Sequence, residues 1–135
     1  MGFEDLRSFV RTLEEQGQLK RVKAEVDPEL EITQIADRMS KSPSPEGMAG
    51  APQTDPVHGG TGGYALLFDS VRGSDVSLGI NLFGSYRRMM MALGCDSFEA
   101  LAERVQKLIK PPTPTSLMDK VKMLPELTRI SGFAP

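Results

Sequence analysis

Apolar and polar residues are most regularly patterned between residues 64 and 94. Residues 64–68 are a short apolar run of the kind that forms strands, and residues 76–82 alternate apolar with small or polar side chains, the period of two of a half-buried strand. Residues 72–75 separate these runs with Gly, Ser and Asp, which favour turns. The pattern predicts two strands joined by a turn at the centre of the domain.

A helix is predicted directly after the second of these strands. Ser85 has a side chain suited to an N-cap, and Gly94 suits the left-handed conformation at a helix C-terminus. Four apolar residues between them share one helical face, which we expect to be buried: Tyr86, Met89, Met90 and Leu93.

Three further helices are predicted from apolar residues at helical spacing. They cover residues 3–16, residues 29–40 and the stretch from Asp96 to Lys110, where Asp96 and Glu99 have the spacing of a capping box. The apolar face of the first helix consists of Leu6, Phe9, Val10 and Leu13. That of the second consists of Ile32, Ile35, Ala36 and Met39. These faces predict helices that pack on a sheet.

Residues 19–26 alternate cleanly between apolar and charged side chains. Such alternation indicates a strand with one solvated face, and therefore an antiparallel strand or a strand at the edge of a sheet. Together the elements predict an α+β fold, in which a small mixed or antiparallel sheet is packed with about four to five helices.

The composition changes twice along the chain. Residues 42–63 contain four Pro and six Gly but almost no large apolar residue, which predicts a mobile inserted loop. Residues 111–135 begin with a Pro-rich spacer and continue as an amphipathic arm. We therefore assign residues 1–110 to one domain, and we expect the arm, which has no partner element behind it, to belong to a longer sequence.

Charge and composition exclude several functional classes. The 135 residues carry a formal net charge of −2, which argues against a nucleic-acid-binding protein. A single cysteine excludes an internal disulfide framework. No apolar run approaches the ~20 residues of a membrane span, so we expect a cytoplasmic protein without one.

The start of the helix predicted after residue 84 is the best candidate for a binding site. Ser85, Arg87 and Arg88 lie where free backbone N–H groups and the positive end of the helix dipole favour an anion. Two arginines in a first turn oppose that dipole, and a nearby phosphate or carboxylate would offset them. The alternative is that both arginines are solvated or pair with acidic neighbours, as surface arginines commonly do.

Other reactive side chains do not combine into a site. His58 is the only histidine and lies in the Gly/Pro-rich segment, so no metal-ligand spacing includes it. Cys95 has no second histidine that could activate it, and a buried, inert thiol is the alternative. The residues alone therefore predict no catalytic, cofactor-binding or metal-binding side chain in this chain.

Several motifs recur in a fixed order along the chain. In the centre they are LLFDSVRGSD at residues 66–75, NLFGSYRR at 81–88 and ALG at 92–94. They are accompanied by DLR at 5–7, GQL at 17–19, VDPELEI at 26–32, IADR at 35–38 and KMLP at 122–125. In order and spacing they resemble the N-terminal domain of UbiD-type decarboxylases, the 3-octaprenyl-4-hydroxybenzoate carboxy-lyase-like family. Residues 42–63 depart from that family, which usually has a short Gly-rich connection there.

The resemblance implies a parent enzyme that decarboxylates, or reversibly carboxylates, aromatic, heteroaromatic or α,β-unsaturated acids. It implies prenylated FMN, Mn²⁺ and K⁺ as the parent's cofactors, and a catalytic set in a central domain beyond this chain. The chain alone would then bind none of these cofactors and be inactive. Its implied partner is a flavin-binding domain of the same or a partner chain, in a parent that is a homo-oligomer.

Two other functions stay open at this point. The chain could be a free-standing accessory subunit of a carboxylase complex, with Leu117, Val121 and Leu124 as its docking face. It could also be a small anion-binding module that uses Ser85, Arg87 and Arg88.

Overall fold

The computed structural model describes residues 3–48, residue 51 and residues 55–109. Its elements in chain order are α1 (Leu6–Glu15), β1 (Leu19–Val26), α2 (Glu31–Ser40), β2 (Ala65–Val71), β3 (Leu78–Ile80), α3 (Tyr86–Leu93) and α4 (Phe98–Ile109). This confirms the predicted α+β fold. One compact unit ends at Leu101, within α4, and the packing below belongs to that unit. The spacer and arm predicted at residues 111–135 lie outside the described residues.

The three strands form a mixed sheet in the order β1-β2-β3. β1 pairs parallel with β2, starting with Leu19 opposite Ala65, and β2 pairs antiparallel with β3. The prediction that β1 lies at an edge is confirmed for the described sheet, and its antiparallel alternative is wrong. The reason is that α2 lies between β1 and β2 in the chain, and a helical crossover allows a parallel pair.

Alternate residues of β2 face two separate apolar clusters, as the pleat of a strand requires. On one face, Leu66 and Phe68 pack with Ile32 of α2, and the partly buried Ile35 and Met39 extend this cluster as predicted. On the other face, Ala65 packs with residues of α1 and β1: Phe9, Leu13 and Leu19. The sheet therefore lies between α2 and α1.

Helix α1 is shorter than predicted, and its inward face is narrower. Asp5 accepts a hydrogen bond from the Ser8 N–H at 2.7 Å, and Ser8 Oγ lies 3.3 Å from the Asp5 N–H, so a capping box starts the helix at Leu6. Phe9 and Leu13 are buried, but Leu6 is 60% exposed. The prediction that Leu6 belongs to the buried face is wrong, because the first turn extends beyond the edge of the cluster that α1 covers.

Strand β3 and helix α4 also differ from prediction at their ends. β3 covers only three residues, because Asn81 turns the chain with φ +58 and Val76 is 73% exposed.

Ser97 is the N-cap of α4, since its Oγ accepts the Ala100 N–H at 3.0 Å. The predicted cap at Asp96 is therefore wrong by one residue.

The burial of α1 can be tested with two Leu→Ala substitutions on the same helix. Leu13→Ala is expected to lower the free energy of unfolding by about 2–5 kcal/mol, because it leaves a cavity in a packed cluster. Leu6→Ala, the matched control, is expected to change it by about 0.5 kcal/mol or less. Urea unfolding followed by circular dichroism measures both, and equal losses would contradict this arrangement.

Candidate functional site

Ser85 and Gly94 cap α3 as predicted. Ser85 is 4% exposed, and its Oγ accepts the Arg88 N–H at 3.3 Å. Gly94 has φ +61, the left-handed conformation expected at a helix C-terminus. The face that α3 buries differs from prediction, because Arg88 and Met90 are buried whereas Leu93 is 53% exposed. The helix therefore turns a cation towards the interior.

Arg88 is completely buried and holds three backbone carbonyls. Its Nη1 donates to the Gly63 carbonyl at 2.6 Å, and its Nη2 donates to those of Gly62 at 2.8 Å and Asn81 at 3.3 Å. Burial lowers the pKa of the guanidinium, and the negative charge of Glu46 opposes this shift. We call Arg88 with these three carbonyls the Arg88 anchor.

Close backbone approach makes the Arg88 anchor possible. A Cβ at Gly62 would lie 1.9 Å from the Gly84 carbonyl oxygen, and one at Gly63 would lie 2.1 Å from that of Met39. Both glycines have positive φ, which few other residues adopt. The end of the glycine run at residues 59–63 therefore allows the backbone to reach Arg88.

Asn81 strengthens the same junction from the end of β3. Its Nδ2 donates to the carbonyls of Gly62 and Tyr64, both at 2.8 Å. Its own carbonyl accepts from Arg88 and from the Gly84 N–H at 3.2 Å. Three chain segments therefore meet at this point: the end of residues 42–63, the end of β3 and the first turn of α3.

The two ends of residues 42–63, here called the inserted segment, lie side by side. Pro43 forms an antiparallel bridge with Thr61, the Ser44 N–H donates to the Gly60 carbonyl at 2.8 Å, and the Gly63 N–H donates to that of Ser42 at 3.0 Å. Ser44 is 7% exposed. The predicted mobility of the segment stays a prediction, but its described ends are hydrogen-bonded parts of the domain.

A second contact joins the inserted segment to α3. The Tyr86 hydroxyl donates to Asp55 Oδ2 at 2.8 Å, and the His58 N–H donates to Oδ1 at 3.1 Å. These bonds, that of Tyr86 first, lower the pKa of Asp55 below its ordinary value. The His58 side chain is 76% exposed, so it lies on the outside of the segment.

The structure does not assemble Ser85, Arg87 and Arg88 into one anion site. The Ser85 hydroxyl caps the helix, and the Arg88 guanidinium is buried against carbonyls. Arg87 is exposed. Both earlier interpretations of Arg88, an anion ligand and a solvated or ion-paired surface residue, are therefore corrected, whereas anion binding by Arg87 stays a prediction.

Sequence reasoning missed Asn81, Gln18 and Glu46. A signal for Asn81 existed, because an asparagine that interrupts apolar residues just before Gly84 favours a left-handed turn. Gln18 and Glu46 meet through a side-chain hydrogen bond across 28 positions, and no local pattern indicates such a pair.

Potential metal-ligating side chains do not cluster in the part of the chain that the structure describes. Across residues 3–48, 51 and 55–109, no group of three His, Cys, Asp or Glu side chains could hold a metal ion. Cys95 is half-buried, with its Sγ 3.9 Å from the Met90 carbonyl oxygen.

Within residues 3–48, 51 and 55–109, no helix has the length and apolar character needed to cross a membrane.

Comparison with known proteins identifies the family. A model of the 3-octaprenyl-4-hydroxybenzoate carboxy-lyase N-terminal domain, the UbiD N-terminal domain, matches residues 10–108. The chain belongs to this family. The UbiD N-terminal domain recognised from the motifs is thereby confirmed over most of the chain.

Relatives of this UbiD N-terminal domain are much longer. An uncharacterized protein of Aquifex aeolicus is 33% identical over 98% of this chain and 24% of its own length. One of Archaeoglobus fulgidus is 36% identical over 100% of this chain and 24% of its own length. The chain thus spans about a quarter of the curated relatives that it matches.

A solved structure shares both the fold and part of the sequence. The vanillic acid decarboxylase of Sedimentibacter hydroxybenzoicus, in an open form, aligns with a TM-score of 0.57 and 26% identity. The alignment covers 84% of this chain and 21% of that chain. The similar structure is therefore a decarboxylase of which this chain matches about one fifth.

Alanine substitutions at two adjacent arginines test the Arg88 anchor. Arg88→Ala is expected to lower the free energy of unfolding by about 2–4 kcal/mol, because the Gly63 carbonyl loses the one donor that the described residues offer it. Arg87→Ala, the matched control on the exposed side, is expected to change it by about 0.5 kcal/mol or less. Chemical unfolding measures both, and a similar loss in the two variants would contradict the anchor.

The Tyr86–Asp55 bond predicts a pH-dependent stability. The pKa of Asp55 is lowered in the folded state, so the bond contributes fully above the ordinary value of 3.8 and is lost as the pH falls below it. Tyr86→Phe should therefore destabilise the protein near neutral pH, and the difference from wild type should shrink below about pH 4.

The control for this prediction is Tyr64→Phe, which also removes one hydroxyl from an aromatic ring. Unfolding curves for the three proteins across the acid range provide the measurement. A Tyr86→Phe effect that stays constant into strong acid would exclude Asp55 as the titrating partner.

Proposed function

We propose that this chain is the N-terminal domain of a larger UbiD-type (de)carboxylase that acts on an aromatic or α,β-unsaturated acid. The observation that carries the proposal is the family match over residues 10–108 in a chain that spans about a quarter of its relatives. The similarity to a vanillic acid decarboxylase supports the reaction class. The parent would use prenylated FMN with Mn²⁺ and K⁺, held by a flavin-binding domain of the same or a partner chain.

The side-chain chemistry of the described residues supports a structural role for this domain. Arg88 is the buried ionised side chain there, and its guanidinium binds backbone carbonyls. The ion pairs lie on the surface: Arg21 with Glu14 and Asp69, Lys41 with Asp37, and Arg72 with Asp27. General acid–base catalysis needs titratable groups that converge in a cleft. We therefore place the reacting groups in the rest of the parent enzyme.

A groove beside α1 supports the idea that the domain packs against another one. It has a volume of about 740 Å³, and its lining includes the exposed Leu6 and Val76 together with Leu67 of β2. The same lining carries charged side chains from α1, β1 and the turn before β3: Arg7, Arg11, Glu14, Arg21 and Asp75. A surface that mixes apolar and charged side chains is typical of the interfaces between domains of one chain. Packing of the flavin-binding domain against such a surface would let this domain shape or close the active-site cleft.

Activity measurements test the proposal. The purified chain, supplied with prenylated FMN, Mn²⁺ and K⁺, is expected to release no CO₂ from a panel of aromatic and α,β-unsaturated acids, because the reacting groups lie elsewhere. The protein encoded with its downstream sequence is expected to decarboxylate at least one member of the panel. Chromatographic detection of the decarboxylated product provides the measurement.

Two results would contradict the proposal. Turnover by the isolated chain would show that the chemistry lies in these residues. A stop codon directly after Pro135, with no flavin-domain gene nearby, would remove the parent enzyme and favour a free-standing accessory subunit.

A further inference from the structure

The C-terminal half of α4 carries an exposed apolar face. Ala102, Val105 and Ile109 lie at the spacing i, i+3, i+7, which places them on one side of the helix. All three are exposed, Val105 by 44% and Ile109 by 71%. The opposite side carries Glu103 and Lys107. A helix with one apolar side and one charged side normally buries the apolar side against another element.

The rest of the chain supplies such an element. A second compact unit comprises Ala102–Pro135, so the exposed face of α4 belongs to the same unit as the amphipathic arm. In that arm, Leu117, Val121 and Leu124 lie at i, i+4, i+7, the spacing of one helical face. The unit therefore contains two apolar stripes of equal length, each of which needs a surface to pack on.

The connection between the two stripes favours antiparallel packing. Residues 110–115 include three prolines, which cannot continue α4 because proline has no backbone N–H. Connections between packed helices usually have about 2–8 residues, and these six lie within that range. A short connection places the second helix beside the first one and antiparallel to it.

The register of such a pair follows from the sequence. Helices rise by the same amount per residue, so each step back along α4 matches an equal step forward along the arm. Counted back from Ile109, the apolar residues of α4 are separated by four and then three positions. Counted forward from Leu117, those of the arm are also separated by four and then three. The resulting pairs are Ile109 with Leu117, Val105 with Val121 and Ala102 with Leu124.

We propose that residues 116–124 form a helix that packs antiparallel on the exposed face of α4. Pro125 ends this helix, because the residue before a proline disfavours the helical conformation. The arm then belongs to this domain, and its apolar face is occupied within the chain. This occupation excludes Leu117, Val121 and Leu124 as the docking face of an accessory subunit, whatever reaction the parent enzyme performs.

Methyl NMR of the full 135-residue chain tests the packing without any substitution. A nuclear Overhauser cross-peak between the methyl groups of Val105 and Val121 is expected, because packed apolar side chains are in van der Waals contact. These two residues decide the test, since Ile109 and Leu117 are close along the chain in any conformation. Absence of the Val105–Val121 cross-peak would overturn the proposal.

Disulfide formation measures the same contact in a second way. In a Cys95→Ser background, the pair Val105→Cys and Val121→Cys is expected to form an intrachain disulfide readily. The matched control is Lys107→Cys with Val121→Cys, which moves one thiol to the charged side of α4. The first pair is expected to react about tenfold faster, because packing raises the effective concentration of its thiols.

Two results of the cross-linking experiment would contradict the proposal. Equal rates for the two pairs would show that the arm is not held on the apolar side of α4. A covalent dimer as the main product would show that a second copy of the chain covers this face. If the cysteine variants fail to fold, the wild-type cross-peak decides.

Discussion

The burial of one cation determines how the central part of this domain is built. Arg88 has no access to solvent, so its donors must find acceptors inside the protein. Nη1 and Nη2 find them on Gly62, Gly63 and Asn81. These carbonyls bring the end of the inserted segment, the end of β3 and the start of α3 to one point. The glycines have no Cβ to prevent that approach. The chain therefore enters β2 from a position that Arg88 specifies.

The position of Arg88 also changes the functional interpretation of the domain. Of the three residues that most resembled a binding site, Arg88 stabilises the junction between three segments, and Ser85 caps α3. The ion pairs of two other arginines lie on the surface, where such pairs contribute little to stability. They join Arg21 to Glu14 and Asp69, and Arg72 to Asp27. We therefore propose that a UbiD N-terminal domain acts through what it packs against, and that the groove beside α1 is the surface involved.

Local sequence signals predicted the elements better than their ends. Apolar periodicity indicated α1, α2 and the strands in the correct order, because amphipathic spacing is a property of neighbouring residues. The ends depended on single side chains: Ser97 starts α4, and the left-handed Asn81 ends β3. The apolar pattern of α3 was misleading about its buried face, because it gave no sign that Arg88 would be buried in place of Leu93.

What the sequence by itself determined is the type and order of the elements, the α+β class and the UbiD family, because these follow from spacing along the chain. Only the tertiary structure decided that β1 and β2 are parallel and that Arg88 points inward. It also decided that Gln18 meets Glu46. Arg88 reaches a carbonyl 25 positions away and Gln18 a carboxylate 28 positions away, and such contacts depend on how the chain folds back on itself.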